Sequence, residues 1–342
     1  MKKAIGNAIK LIIFLGLGIF LVWLITHHLT PEQWDRIKQV FRDANYWILL
    51  PVFIIGTMSH LLRALRWRML IEPMDYHPRL FTTFSAVMIG YIANLAIPRM
   101  GEITRCGVLS RHENIPFQKV IGTMIVERGI DLLCLLVLIV ASILIQMDVV
   151  GGFFYDTVIS RLTPIFRHGT WIRYLIMLAM IAALITGMVF LMKLFRHTRW
   201  YRKLVLLFRG IKEGMLAIGK MKRKGLFFLY TIAIWLCYFL MVYVGFFCLK
   251  PTSVLGLKAG LSVLSFGSIG MMITQGGIGA YQLIVEKTLE LYGILEAYGF
   301  AFGWLSWIMQ TLLTLVLGLI CTVTLPFVKR KTPKALAGKV TS

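Results

Sequence analysis

Residues 94–111 read NLAIPRMGEITRCGVLSR, with apolar sequence on both sides. Pro98 and Gly101 mark a helix break, and Arg99, Glu102, Arg105 and Arg111 crowd around it. A second charged set, Glu127, Arg128 and Asp131, follows inside a run that reads as a membrane helix. Ionisable groups at membrane depth are costly and point by default to function. The rest of the chain reads as scaffold for this polar centre.

The composition supports that reading. The 342 residues are 58% hydrophobic, with mean hydropathy +0.78. Several runs approach the roughly 20 apolar residues that cross a bilayer. The formal net charge of +22 would suggest nucleic acid in a soluble protein. Here Lys and Arg cluster between apolar spans, which is the positive-inside pattern and suits anionic inner-leaflet lipid. Nucleic acid is therefore a poor reading. The five cysteines are scattered without CxxC or Cys/His ligand spacing, so neither a disulfide framework nor a metal site is expected. No cofactor motif appears. Lys2, Lys3 and Lys10 precede the first apolar run, and no small-residue cleavage site follows Trp23, so that run is expected to be a retained helix.

In chain order, spans are expected at about residues 8–26, 46–67, 118–147, 171–194, 225–249 and 298–326. An amphipathic interfacial helix is expected over 30–45, with Trp34, Ile37 and Phe41 on one face. Arg63, Arg66 and Arg68 are expected to end the second span and snorkel to the cytoplasmic interface. Shorter apolar runs at 79–97 and 259–275 each meet a break, at Pro98–Gly101 and at Gln275-Gly276-Gly277-Ile278-Gly279. A short helix at 280–292 follows the second break and carries Glu286 and Glu290, read as interfacial.

Charge then decides the crossings. Residues 193–224 hold eleven Lys/Arg and one acid, and the tail holds Lys329, Arg330, Lys331, Lys334 and Lys339. With the N-terminus inside, full crossings by both short runs would place these basic segments outside, against the K/R bias. Two re-entrant pairs remove the conflict. The expected fold is an all-α polytopic membrane protein, forming one integral membrane domain. It has about six full transmembrane helices plus two re-entrant helical pairs. Residues 1–147 and 171–326 form an inverted repeat, and 327–342 form a basic cytoplasmic tail. Broken helices in matching positions of two inverted halves recur in secondary transporters.

Each constellation has two readings. Arg99, Glu102 and Arg105 offer planar guanidinium donors beside a carboxylate, a match for a lipid phosphate; the alternative is a loop whose arginines bind headgroups nonspecifically. Glu127 and Asp131, four apart, share a helix face. They serve either the transport site or a structural ion network, paired to Arg99 or Arg105. The glycine run lets backbone approach closely and frees amides for an anion, or it is a packing turn. Met and Phe are read as packing.

At these residues the chain resembles the lysylphosphatidylglycerol synthase transmembrane-region family, also called flippase-like integral membrane proteins. Asn94, Pro98, Arg99, Gly101, Glu102 and Arg105 match its first pattern, with Pro98 one position closer to the arginine than usual. Glu127, Arg128 and Asp131 match its E-R-x-x-D pattern, and Gly276, Gly277 and Gly279 match its P-G-G-x-G-x-x-E pattern. Gln275 stands where the family has Pro, and Gln282 where it has Glu. The resemblance implies substrate contacts at Asn94, Arg99, Glu102, Arg105, Glu127, Arg128, Asp131, Gln275, Gly276, Gly277, Gly279 and Gln282. The family's full-length synthases carry a soluble aminoacyl-transferase domain after this region, and the chain ends at Ser342 without one, so catalysis is not expected.

The expected function is flippase-like movement of an anionic or aminoacylated phospholipid, or of a lipid-linked intermediate, between leaflets of a bacterial inner membrane. Both termini are expected to be cytoplasmic. Expected partners are membrane phospholipids with anionic headgroups, a second copy of the chain, or a separate lipid-modifying enzyme. The alternative is a membrane-embedded enzyme, or an accessory subunit, of lipid-headgroup modification related to phosphatidylglycerol lysyltransferases.

Overall fold

The computed structural model describes residues 31–96, 100–145, 219, 221 and 223–328. The spans expected at 8–26 and 171–194, most of the basic stretch 193–224, and the tail beyond 328 lie outside the described residues, as does Arg99. Among the described residues every element is helical. The helices are α1 (Pro31–Arg42), α2 (Leu49–Ile71), α3 (Leu80–Ala96), α4 (Met100–Glu113), α5 (Phe117–Ile145), α6 (Lys224–Gly245), α7 (Leu257–Ile273), α8 (Ala280–Glu290) and α9 (Glu296–Thr324). Four helical segments are long and apolar enough to cross a bilayer: Tyr46–Met74, Phe117–Ile145, Lys224–Cys248 and Glu296–Phe327.

The lengths repeat. Helices α2 to α5 have 23, 17, 14 and 29 residues, and α6 to α9 have 22, 17, 11 and 29. Packing repeats with them. In each set the two short helices lie against one another, α3 on α4 and α7 on α8. Across the sets, α3 packs on α9 and α7 packs on α5, the same contact made twice. The counterparts α2 and α6 pack directly together, and they run antiparallel. Arg63 reaches Tyr238 while Arg66, further along α2, reaches Thr231, earlier in α6. Exchanging the two sets therefore matches helices that run in opposite directions.

The hairpins depend on small residues. A Cβ on Gly90 of α3 would lie 2.9 Å from the Gly101 carbonyl oxygen of α4. One on Gly101 would overlap the Gly90 carbonyl oxygen and the Asn94 side chain. In the second hairpin a Cβ on Gly270 would lie 2.8 Å from Tyr281 Cα. Gly299 and Gly303, four apart on α9, let α8 approach, with Glu286 Cα and Gln282 Cα each 3.1 Å from the missing Cβ positions. Close backbone approach at small residues is how helices associate where lipid removes the hydrophobic drive.

Each break is tied down. Asn94 Oδ1 accepts from the Gly101 N–H at 2.7 Å, satisfying an amide at the start of α4 that has no partner within the helix. In the second hairpin Gln282 Oε1 does the same for the Gly279 N–H at 2.8 Å. Gly276 and Gly277 sit at φ +61° and +79°, a conformation that residues with a Cβ rarely adopt. The Gly276 carbonyl accepts from Trp307 Nε1 at 2.7 Å. Gly276 also lies beside Leu95, at the end of α3, so the second break touches the first hairpin.

Helix α1 packs on α9, where Phe41 meets Ala297 and Phe300. Glu286 departs from the interfacial expectation. It is buried against α9, with Lys287 Nζ 3.4 Å away, because Gly299 leaves room for α8 to sink; Glu290 stays exposed.

Gly101→Ala should cost about 1–3 kcal/mol, because backbone must move to admit the methyl. Gly107→Ala, on the same helix with open space around it, should gain up to about 1 kcal/mol of helix stability. Thermal unfolding of the two variants in detergent checks the contrast, and equal midpoints would contradict the hairpin contact.

Candidate functional site

Arginines from one helix and carboxylates from another meet in the middle of the bundle. On α2, Arg63 and Arg66 are three apart and share a face; on α5, Glu127 and Asp131 do so at four apart. Arg63 Nη1 lies 3.2 Å from Glu127 Oε1 and 3.1 Å from Asp131 Oδ2. Arg66 Nη2 lies 3.3 Å from Glu127 Oε1 and 2.7 Å from Asp131 Oδ1. From α4, Arg105 Nη2 donates to Glu127 Oε2 at 2.8 Å. Helix α6 adds two neutral acceptors, Tyr238 Oη at 3.0 Å from Arg63 Nη2 and Thr231 Oγ1 at 3.4 Å from Arg66 Nη1. Four helices thus converge on one charged cluster.

The cluster is dry. The Glu127 side chain is 0% exposed, as is that of Arg66, and Arg105 is 2% exposed. Trp67 roofs it: the Arg105 guanidinium carbon lies 4.6 Å from its ring centroid, and Trp67 Nε1 donates to Thr123 Oγ1 at 3.1 Å. Among the described residues three guanidinium charges face two carboxylates, which leaves one positive charge in excess. Among the described residues Arg105 Nη1 and Nε meet no acceptor. His60, one turn before Arg63, has its ring 5.1 Å from that of Tyr91, and neither of its ring nitrogens has a partner.

Such a cluster is a poor stabilising device. Desolvating several charges consumes most of their mutual attraction, and apolar replacements of the whole set are often as stable. Its unmatched charge gives it room for an anion. A further carboxylate or phosphate placed at Arg105 would find two free donors and a net positive field in a low-dielectric setting.

The residues singled out in the sequence divide into three groups. Arg105, Glu127 and Asp131 come together, in the pairing of Glu127 to Arg105 that the sequence suggested. Glu102 and Arg128 form a separate pair at 2.9 Å with side chains 27% and 40% exposed. Arg128 follows Glu127 by one residue, about 100° around α5, and so faces away from the cluster. Asn94, Gly276, Gly277, Gly279 and Gln282 serve the two breaks, and Gln282 is fully buried with Nε2 unpartnered. Arg99 and the Gln275 side chain lie outside the described residues.

The snorkelling expected for Arg63 and Arg66 is overturned. Helix α2 runs on to Ile71, so Arg63 lies eight residues, about 12 Å, before its end. Both arginines turn inward to the carboxylates. Arg68 does lie toward the surface, 3.9 Å from Glu72. The usable sequence signal was the matching i, i+3 and i, i+4 spacing of opposite charges on two apolar helices.

Comparison with known proteins follows the geometry. The profile of the family described as "Lysylphosphatidylglycerol synthase TM region" matches residues 7–334. The chain is 25% identical over 153 residues to "Glycosyltransferase AglD" of Haloferax volcanii, covering 44% of this chain and 24% of that protein. It is 29% identical over 100 residues to "UPF0104 membrane protein MJ1595" of Methanocaldococcus jannaschii, covering 28% of this chain and 30% of that protein. The chain thus spans less than a third of the length of these relatives. No solved structure matches it.

Glu127→Gln should cost about 3–5 kcal/mol, because three buried guanidiniums would face one carboxylate. The cost should shrink in an Arg105→Gln background, where one of those charges is gone. Glu102→Gln breaks a half-exposed pair and should stay within about 1 kcal/mol. Unfolding midpoints for the four variants supply the cycle, and strict additivity of Glu127 and Arg105 would contradict the buried pairing.

Proposed function

The chain belongs to the lysylphosphatidylglycerol synthase TM-region family, and from that premise we propose that it moves an anionic lipid, or a lipid-linked intermediate, between the leaflets of a cell membrane. The observation that carries the reading is the buried cluster with one positive charge in excess and free donors on Arg105. The lipid phosphate is held there by Arg63, Arg66 and Arg105. Glu127 and Asp131 hold the arginines in place while the site is empty. They keep the resting cluster near neutrality, so that an incoming phosphate completes its charge balance. The Glu102–Arg128 pair, half exposed, guards the approach to the cluster. The second break touches the end of α3, and its non-helical backbone at Gly276 and Gly277 suits a wall of a polar path rather than a lipid-facing surface. Membrane phospholipids with anionic headgroups are the partners this reading requires.

A second reading is favoured by one observation, the similarity to a relative named as a glycosyltransferase. Here the chain presents a lipid-linked intermediate to a separate lipid-modifying enzyme, or is itself a membrane-embedded enzyme acting on the headgroup, with Glu127 or Asp131 as acid and base.

The test is lipid redistribution in proteoliposomes with labelled phosphatidylglycerol and phosphatidylcholine. Wild type should redistribute the anionic lipid in preference. Arg105→Gln leaves Glu127 paired to Arg63 and Arg66 but removes the excess charge. It should forfeit about 1.5–3 kcal/mol of headgroup binding, a roughly tenfold to hundredfold slower redistribution. Arg99→Ala should abolish transport with folding intact. Unchanged rates in both variants would refute the site; covalently altered headgroups after incubation would favour the enzyme reading.

A further inference from the structure

The two sets of helices can be superposed in register by counting from each helix start. Glu127 and Asp131 are the eleventh and fifteenth residues of α5; Ser306 and Gln310 hold those places in α9. Arg63 is fifteenth in α2, and Tyr238 is fifteenth in α6. Glu102 and Gln282 are both third, in α4 and α8, and Gly90 and Gly267 are both eleventh, in α3 and α7. The correspondence holds in space. Arg63 and Tyr238, counterparts on antiparallel helices, bond to each other at 3.0 Å, so the pseudo-two-fold passes between them.

That axis relates the charged cluster to a second site of opposite character. Where the first set places Arg63, Glu127 and Asp131, the second has their counterparts Tyr238, Ser306 and Gln310, which together with Tyr281 line a cavity of about 210 Å³. The remaining lining is mostly apolar, including Met241, Leu264, Met271 and Phe302. Its few polar groups are largely spent on the protein itself: Tyr281 Oη and Ser306 Oγ lie 3.2 Å apart, Ser306 donates to the Phe302 carbonyl, Ser268 to Leu264, and Trp307 to Gly276. Met271 at the rim is 37% exposed. The cavity is thus an apolar chamber among helices read as membrane spans, reached from outside and closed at one point by the tyrosine that touches the arginine cluster.

We propose that this chamber receives a hydrocarbon chain of the lipid whose phosphate is held at the arginines, with Tyr238 at the junction of head and tail. The inference rests on the lipid reading above for the identity of the headgroup, but not for the apolar occupant. An apolar chamber of this size offers water few polar partners, because most of its hydroxyls and its indole are already engaged and Gln310 adds a single amide. Left empty, its lining forfeits dispersion contacts. The surrounding medium supplies one abundant apolar filler, the lipid chain. The charge pattern gives the direction: a group of opposite sign to the arginines lies on the Arg63 side of Tyr238, and the apolar remainder on the other. The inverted repeat has thus diverged into two half-sites for the two ends of one amphipathic molecule, where a symmetric protein would carry two equal sites.

The experiment uses the full chain in nanodiscs with phosphatidylglycerol or phosphatidylcholine carrying a diazirine in one acyl chain, with adducts mapped by mass spectrometry. The expected result is adducts on Met241, Leu264 or Met309 at several times the level on Leu319, an exposed lipid-facing control. Gly245→Leu projects a side chain into the chamber and should cut those adducts at least fivefold while leaving Leu319 labelled; Ser268→Leu fills it independently from α7. Arg63→Gln should lower chamber adducts for phosphatidylglycerol alone. Chamber adducts that both fillings remove but that ignore Arg63→Gln and headgroup would support the chamber and overturn the phosphate reading. Labelling of the chamber no higher than Leu319, or unaltered by both fillings, would overturn the chamber proposal whatever the redistribution assay gives.

Discussion

A single carboxylate, Glu127, ties α5 to both α2 and α4. It is fully buried and can be ionised there only because Arg63, Arg66 and Arg105 come to it from two other helices. The dependence is mutual, since each of those guanidiniums would be an uncompensated buried charge without it. Asp131 closes the second pair of contacts to α2, and Tyr238 and Thr231 bring in α6. The positions of α4, and so of the first break, follow from the need to deliver Arg105 to this point. The excess of one positive charge is the part that structure alone does not require, and it is the part on which the proposed function depends.

The repeat explains how such a site can exist at the centre of an apolar bundle. Two hairpins of short helices end inside the molecule, and their breaks meet at Leu95 and Gly276. Long helices could not bring backbone and charge to that depth without leaving polar groups facing lipid. Small residues at Gly90, Gly101 and Gly270 let the hairpins close, while Asn94 and Gln282 satisfy the amides the breaks expose. With the scaffold shared, the two sets differ in what fills the space inside them. One is charged and packed, and the other is apolar and open, as an amphipathic ligand would need.

Much of this could be read before the structure. The order of elements followed from hydropathy, and the boundaries of every described helix except α4, which was given no bounds, fall within four residues of those expected, because apolar runs and Gly/Pro punctuation give strong local signals. The charged residues of α5 stood out because ionisable side chains are costly in an apolar run. Arg63 and Arg66 did not, since basic residues near the end of a span usually reach for the interface. Only the extension of α2 to Ile71, a tertiary outcome, placed them eight and five residues before its end. Glu286 was misjudged for a related reason: Gly299, which makes room for it, lies thirteen residues away. Arg128 was grouped with Glu127 on sequence proximity, yet adjacent residues on a helix face different ways. The apolar chamber had no local signature, because its walls come from α2, α6, α7, α8 and α9.

The central claim is that the arginine cluster is an anion site for a lipid headgroup. The most direct measurement is a cryo-electron microscopy map of the full chain in nanodiscs of phosphatidylglycerol. The account predicts density for a phosphate within hydrogen-bond reach of Arg105 Nη1, beside Arg63 and Arg66. Ordered lipid phosphates at the membrane surface only, with the cluster closed on itself and Arg105 Nη1 still without an acceptor, would contradict it.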